Sequence, residues 1–289
     1  MVRHQVFILK TVFCLQQYIW LLVKTESHRK DPYFYSPKTT TNQQVMKEIV
    51  LCSLWVFCGW KANAQDSLYN PTAILILDRM SNVISDMTSC SFKTVASHDE
   101  ADPEFGLIKR FVNTQVYMAG PDKMVVNYWG AKGHRQCWYD GKEFAIYDYE
   151  ERNYGIVAAP PTIIATIDSI HTHYGLDFPA ADFFYPAFTD DLIESNDRIE
   201  YKGQAIIDGQ ECFHIIAQSK SMTSQIWIRN DAYNLPVKYV ITYNTKSGHP
   251  QYEATYSEWE VNPDIPNAVF KFLPPPGTHQ VRLVSQKEK

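Results

Sequence analysis

The chain of 289 residues is short of glycine, of cysteine and of clustered positive charge. It holds only 12 glycines, with no glycine-rich phosphate loop and no G-x-S-x-G stretch, so neither a phosphate cradle nor a serine nucleophile elbow is written in it. Beyond residue 64 the only cysteines are Cys90, Cys137 and Cys212, and an odd number permits at most one internal bridge. All three sit in apolar, strand-like runs, where buried free thiols are expected. A packed core, not a disulfide framework, must then hold the fold. Over the same stretch 19 Lys and Arg face 29 Asp and Glu, a formal net charge of −10, and no long basic cluster relieves it. Such a surface repels phosphate backbones, which excludes nucleic acid as a partner.

A long hydrophobic run is also missing. The apolar stretch at 49–60 has 12 residues, too few to span the ~30 Å hydrocarbon layer. In MKEIVLCSLWVFCGWKANAQD this stretch follows Lys47 and precedes Ala62-Asn63-Ala64, the layout of a secretory signal. The reading is a signal peptide over 46–64, cleaved after Ala64, and a periplasmic or secreted mature chain over 65–289; a membrane anchor is the rival. Phe57 stands before Cys58, which argues against lipoprotein processing there. Residues 1–45 carry a second apolar run at 6–23, interrupted by Lys10, Gln16 and Gln17. They read as a non-native upstream extension ahead of Met46, against an N-terminal membrane segment, and neither part belongs to the fold.

What is present is strand after strand. Asn70-Pro71 opens a helix of about four turns, with Ile74, Leu77, Met80, Val83, Ile84 and Met87 at helical spacing, Asn70 as cap and Pro71 in the first turn. The period then changes to two. Runs such as GLIKRFVNTQVYMAG, KMVVNYWG and EFAIYDY are separated by breaks such as Asp140-Gly141 and Asp208-Gly209, strong hairpin signals. A helical insertion interrupts them: PPTIIATIDSIHTHYG, then FPAADFFYPAFTDDLIES, rich in rings and broken by Pro179 and Pro186. The expected fold is mainly β (α+β): about ten antiparallel strands in one curled sheet, forming a half-open barrel over two helical segments.

In QIWIRNDAYNLPVKYVITY the second run alternates, so Val237, Tyr239, Ile241 and Tyr243 are expected on one inward face. The side chains expected to line an apolar cavity are these four, with Ile164, Ile167, His171 and Tyr174 from the first helical segment and Phe183 and Phe184 from the aromatic one. Catalytic chemistry is poorly supplied. His171 and His173 diverge by about 200° on a helix and cannot share an ion, so no metal or cofactor is expected. His134 and Cys137 fall on opposite strand faces. Cys212 and His214 share one, with no carboxylate to orient them. Asp190-Asp191 and Glu150-Glu151 read as solvated pairs.

Three stretches of the last 90 residues, DGQECFHI, QIWIRNDAYNLPVKYVITY and YSEWEVNPDIPNAVFKFLPPPG, occur in an order that resembles an uncharacterised bacterial periplasmic family of unknown function. That family is related to the outer-membrane lipoprotein carriers (LolA/LolB-like). The matching positions are Trp227-Ile228-Arg229, Leu235-Pro236, and Phe270-Lys271-Phe272 with Pro274, Pro275 and Gly277; Arg229 stands where the carriers commonly have an acidic residue. The resemblance implies a sheet curled about helices with a cavity that receives acyl chains. The expectation is therefore a non-catalytic binder of a lipid or lipoprotein acyl chain, with an envelope lipoprotein or membrane protein as a further partner. The alternative is an interaction or sensor module of the cell envelope whose core is filled by its own side chains; a hydrolase ranks last.

Overall fold

The computed structural model describes residues 68–285 apart from Lys132 and Pro179. The signal-like stretch 46–64, its cleavage point after Ala64 and the upstream residues 1–45 lie outside the described residues, as does the helix-breaking role expected of Pro179. Helix α1 (Pro71–Ser85) begins where Asn70 Oδ1 accepts the backbone N–H groups of Thr72 and Ala73 at 2.9 and 3.2 Å, with Pro71 in the first turn. Its buried stripe is Ala73, Ile76, Leu77, Met80 and Ile84, with Ile74 and Val83 at the flanks.

Six strands follow: β1 (Ser89–Asp102), β2 (Gly106–Ala119), β3 (Lys123–Gly130), β4 (Gly133–Tyr139), β5 (Glu143–Asp148) and β6 (Asn153–Ala158). The insertion comes next, as α2 (Ile163–Tyr174), a 3-10 turn (Ala181–Phe184) and α3 (Phe188–Ser195). The chain then returns through β7 (Arg198–Ile207), β8 (Gln210–Gln218), β9 (Met222–Arg229), β10 (Pro236–Tyr243) and β11 (Gln251–Val261), and ends with a short β12 (His279–Gln280). The hairpin turn at Asp208-Gly209 has φ of 50° and 77°, the double left-handed turn that matches strand twist.

All twelve strands form one sheet in the order β12-β6-β5-β4-β3-β2-β1-β11-β10-β9-β8-β7. Every pairing is antiparallel except that of β12 with β6. The edges β7 and β12 do not meet, so the sheet is curled and open. The strand beyond the expected ten or so is β12, whose two residues carry no periodic signal, and the insertion supplies two α-helices where one broken segment was read.

Two bulges decide which side chains face the concave side. Ser91 pairs with Glu260 and Lys93 with Ser257, leaving one extra residue in β11. Glu258 takes that place at φ 53° and turns outward to Lys93, 2.6 Å away. Trp259 is thereby carried inward, its ring centroid 4.3 Å from that of Phe92. In β10 the extra residue is Val237, because Pro236 pairs with Ile228 and Lys238 with Trp227. The alternation expected from Val237 to Tyr243 is therefore broken at its first member.

The convex side carries its own apolar layer over β3 to β6. Val125, Ala145 and Tyr147 are buried there, and the C-terminal segment crosses them: Phe270 is 1% exposed, and Phe272 sits against Trp138, Tyr147 and Tyr154 at centroid distances of 4.9 to 6.3 Å. The segment then rounds the β6 edge. His279 N donates to Arg152 O and Val281 N to Tyr154 O, and Leu283 fills the space that Gly155 leaves on the inner face. A Cβ on Gly155 would lie 2.5 Å from the Leu283 side chain.

Candidate functional site

The concave face of β10, β11 and β1 is covered by residues 176–196. Alternation after the bulge points Tyr239, Ile241 and Tyr243 inward beside Ile226, Ser224 and Met222 of β9. From β11, Tyr252, Ala254 and Tyr256 join the same face. The 3-10 turn lowers Phe183 onto it, with ring centroids 5.4 Å from Tyr239, 5.5 Å from Tyr256 and 5.2 Å from Phe188. Phe184 stacks on Phe92 at 6.0 Å, and Phe178 meets Phe144 edge-on at 6.0 Å. Phe178, Phe183, Phe188 and Leu192 are 3% exposed or less, so the segment fills the concave space with its own side chains.

The cover is pinned by polar contacts as well. His171 Nδ1 lies 2.7 Å from Asp177 Oδ1, the Tyr185 hydroxyl donates to Asp168, and the Tyr128 hydroxyl donates to Asp177 O at 3.2 Å. Burial raises the Asp177 carboxyl to about 6, against the pull of His171. Asp182 is buried inside the cover, next to Phe183. Burial first and the Asp182 carboxylate second push the hydroxyls of Tyr239, Tyr243 and Tyr252 upward; at Tyr256 burial acts first, then Tyr252, then Asp182. All four phenols thus stay protonated donors at neutral pH.

The expected lining residues divide. Tyr239, Ile241, Tyr243, Ile167 and Phe183 come together in the core, and Tyr174 and Phe184 pack against it half-buried. Val237 does not join them. Its bulge leaves it in a small hollow of about 30 Å³ with Arg229 and Trp259. Ile164 is half-buried at the flank of α2, whose inward stripe is Ile163, Thr166, Ile167 and Ile170. His171 belongs to the rim through Asp177. The residues that the sequence reading missed are Asp182, Tyr252 and Tyr256. The alternation in QYEATY pointed to the tyrosines; nothing in ADFFY marked the aspartate for burial.

His214 faces the convex side. Its ring stacks on Trp227 at 4.4 Å and its Nε2 lies 3.1 Å from Gln225 Oε1. The three cysteines are buried and free, and burial pushes the Cys90 thiol up to about 12 and the Cys137 and Cys212 thiols upward. None of them is a thiolate at neutral pH. Among the described residues no group of three His, Cys, Asp or Glu is placed to hold a metal ion. Beside the cover, a groove of about 570 Å³ opens between Tyr174 at the end of α2, Ile156 and Val157 of β6, and the C-terminal residues from Gln280 to Ser285. That volume lies in the range of small-ligand sites.

A single curled β-sheet closed by a helical insertion, with an aromatic face beneath it, defines the class: an open β-shell with a plugged interior. The chain belongs to the family DUF2092, described as a predicted periplasmic protein, whose profile matches residues 73–284. No curated protein matches the chain. Solved structures similar to it include an uncharacterized conserved protein from Thermus thermophilus, at 13% identity over 73% of this chain and 99% of that one, TM-score 0.43. The lipoprotein LppX of Mycobacterium tuberculosis matches at 14% identity over 68% and 100%, TM-score 0.40. A LolA superfamily protein from Nitrosomonas europaea matches at 10% over 69% and 97%, TM-score 0.31. Among the described residues no helix is long and apolar enough to cross a membrane.

Proposed function

We propose that this protein, released into the periplasm by cleavage after Ala64, binds an acyl chain or similar apolar chain on the concave face of its sheet, without catalysis. The aromatic cover acts as a plug that leaves when the ligand arrives. One observation carries this reading: Phe183 and Phe188, two of the rings that fill the concave interior, are supplied by a segment held in short, uncapped turns outside the sheet. Ala180 is held at φ 58°, and neither the 3-10 turn nor the eight-residue α3 has a side-chain cap at its N-terminus. Segments of this kind open locally at a fraction of the global unfolding free energy.

The rival reading, an interaction module with a permanently filled core, draws on the near-complete burial of Phe183 and Phe188. A disulfide lock separates the two. Ser81 Oγ of α1 and Thr189 Oγ1 of α3 are 3.2 Å apart, which suits a cystine bridge in a Ser81→Cys, Thr189→Cys variant. The expected result is that the oxidised variant takes up no fluorescent fatty-acid probe and regains uptake on reduction. Equal uptake by both forms rejects a moving plug. No uptake by the reduced form or the unmodified protein, with no lipid extracted from either, leaves the filled-core module.

A further inference from the structure

A permanent plug has no use for a carboxylate in its middle. Burying one costs several kcal/mol unless donors surround it, and an apolar side chain would fill the same space without that cost. Yet residues 178–188 place one acid, Asp182, among their rings: it is 6% exposed, and the ring of its neighbour Phe183 lies 5.4 and 5.5 Å from those of Tyr239 and Tyr256. The segment is laid out as an amphiphile: apolar bulk in Phe183 and Phe188, and one anionic group beside it. The receiving face is laid out to match. Tyr239 is 2% exposed and its hydroxyl, though beside Ser224, has no hydrogen-bond partner of acceptable geometry. An orphan donor in the interior marks a place where an acceptor fits.

We propose that the plug imitates the ligand: Asp182 stands where the head group of an anionic single-chain amphiphile binds, and Tyr239, Tyr243, Tyr252 and Tyr256 form the cage that reads it. This rests on the plug-displacement reading above and adds the ligand class and the selecting residues. When the plug leaves, its carboxylate leaves with it, and Tyr239, Tyr243 and the mutually hydrogen-bonded pair Tyr252 and Tyr256 face the vacated wall. A carboxylate accepts about four hydrogen bonds, so one head group can take up the donors that remain. An ester or a hydrocarbon end leaves donors unmade, the kind of mismatch that gives strong discrimination. Lys246 Nζ lies 3.9 Å over the ring of Tyr243. One cation beside phenolic donors suits a singly charged carboxylate better than a doubly charged phosphate.

Competition by dodecanoate, methyl dodecanoate and dodecyl phosphate against a neutral pyrene-labelled alkane tests this. Dodecanoate is expected to compete at least ~10-fold better than its methyl ester, the worth of one well-made charge-assisted bond. Tyr239→Phe is expected to narrow that ratio several-fold while leaving the thermal midpoint unchanged or higher, since the lost hydroxyl has no partner in the unliganded protein. Equal competition by acid and ester overturns the cage but leaves acyl binding standing. Phosphate at or above the acid overturns the carboxylate assignment. A Tyr239→Phe variant with an unaltered ratio also counts against the cage. Failure of the protein to bind the alkane or any competitor removes the cage together with the reading on which it rests.

Discussion

The two covers of the sheet make an instructive pair. The concave plug, residues 176–196, and the convex strap, residues 263–285, are both aromatic, both contain proline and both close over strand faces. The strap is anchored by backbone pairing at the β6 edge, by the Arg152 guanidinium donating to Pro276 O, by the buried ring of Phe270, and by Phe272 set among Trp138, Tyr147 and Tyr154. The plug has no strand pairing, an alanine in left-handed backbone and a buried acid. Equal aromatic content therefore yields different covers. What separates them is how much of the backbone is paired and whether charge is buried along with the rings.

The largest expected effect puts that contrast to the test. Phe270→Ala should cost about 3–5 kcal/mol in urea unfolding, the range for removing a fully buried ring from a site that cannot collapse. Phe183→Ala should cost less, because a loosely held segment can settle into the vacated space. Equal losses would make the plug as permanent as the strap. Next in size, Gly155→Ala should cost about 1–3 kcal/mol, since its new methyl group meets Leu283 and overpacks the strap at the sheet edge. Loss of protection confined to residues 279–284 in amide exchange would mark the effect as local.

A smaller change acts on the plug alone. Ala180→Gly relieves left-handed strain at φ 58° and should stabilise by less than about 1 kcal/mol while slowing probe uptake. Faster uptake would contradict the link between backbone strain and release. A further effect is in pH. The folded-state carboxyl of Asp177 is raised from 3.8 to about 6, so between those values the folded protein holds a proton that the unfolded chain has lost. Stability from this group is therefore fully present below about pH 4 and is lost as the pH rises through about 6. The thermal midpoint of the unmodified protein, relative to Asp177→Asn, should fall from pH 5 to pH 7; a flat difference would show that the acid is not strained by burial.

Much of the frame was legible because alternation, Asp-Gly turns and an Asn-Pro helix start are local signals. Asn70 caps α1 and Asp208-Gly209 turns β7 into β8 as the sequence reading expected. The three thiols are buried and free for the reason given there, an apolar strand setting. The site was only half legible. A bulge is an extra residue with no composition of its own, so neither the displacement of Val237 nor the outward turn of Glu258 could be read from alternation. In α2 the helical period fixed Ile167 but left Ile164 at the boundary of the stripe. The burial of Asp182 is a tertiary fact, decided by tyrosines about 57 to 74 positions further along the chain.

Amide hydrogen exchange across residues 178–192, with and without dodecanoate, tests the displaceable plug most directly. The plug is expected to exchange well below the global unfolding free energy in the free protein and to lose protection when the acid is added, while Ile226 and Tyr239 stay protected. Exchange of the plug only through global unfolding, at the level of Ile226 and unaffected by dodecanoate, would contradict the account.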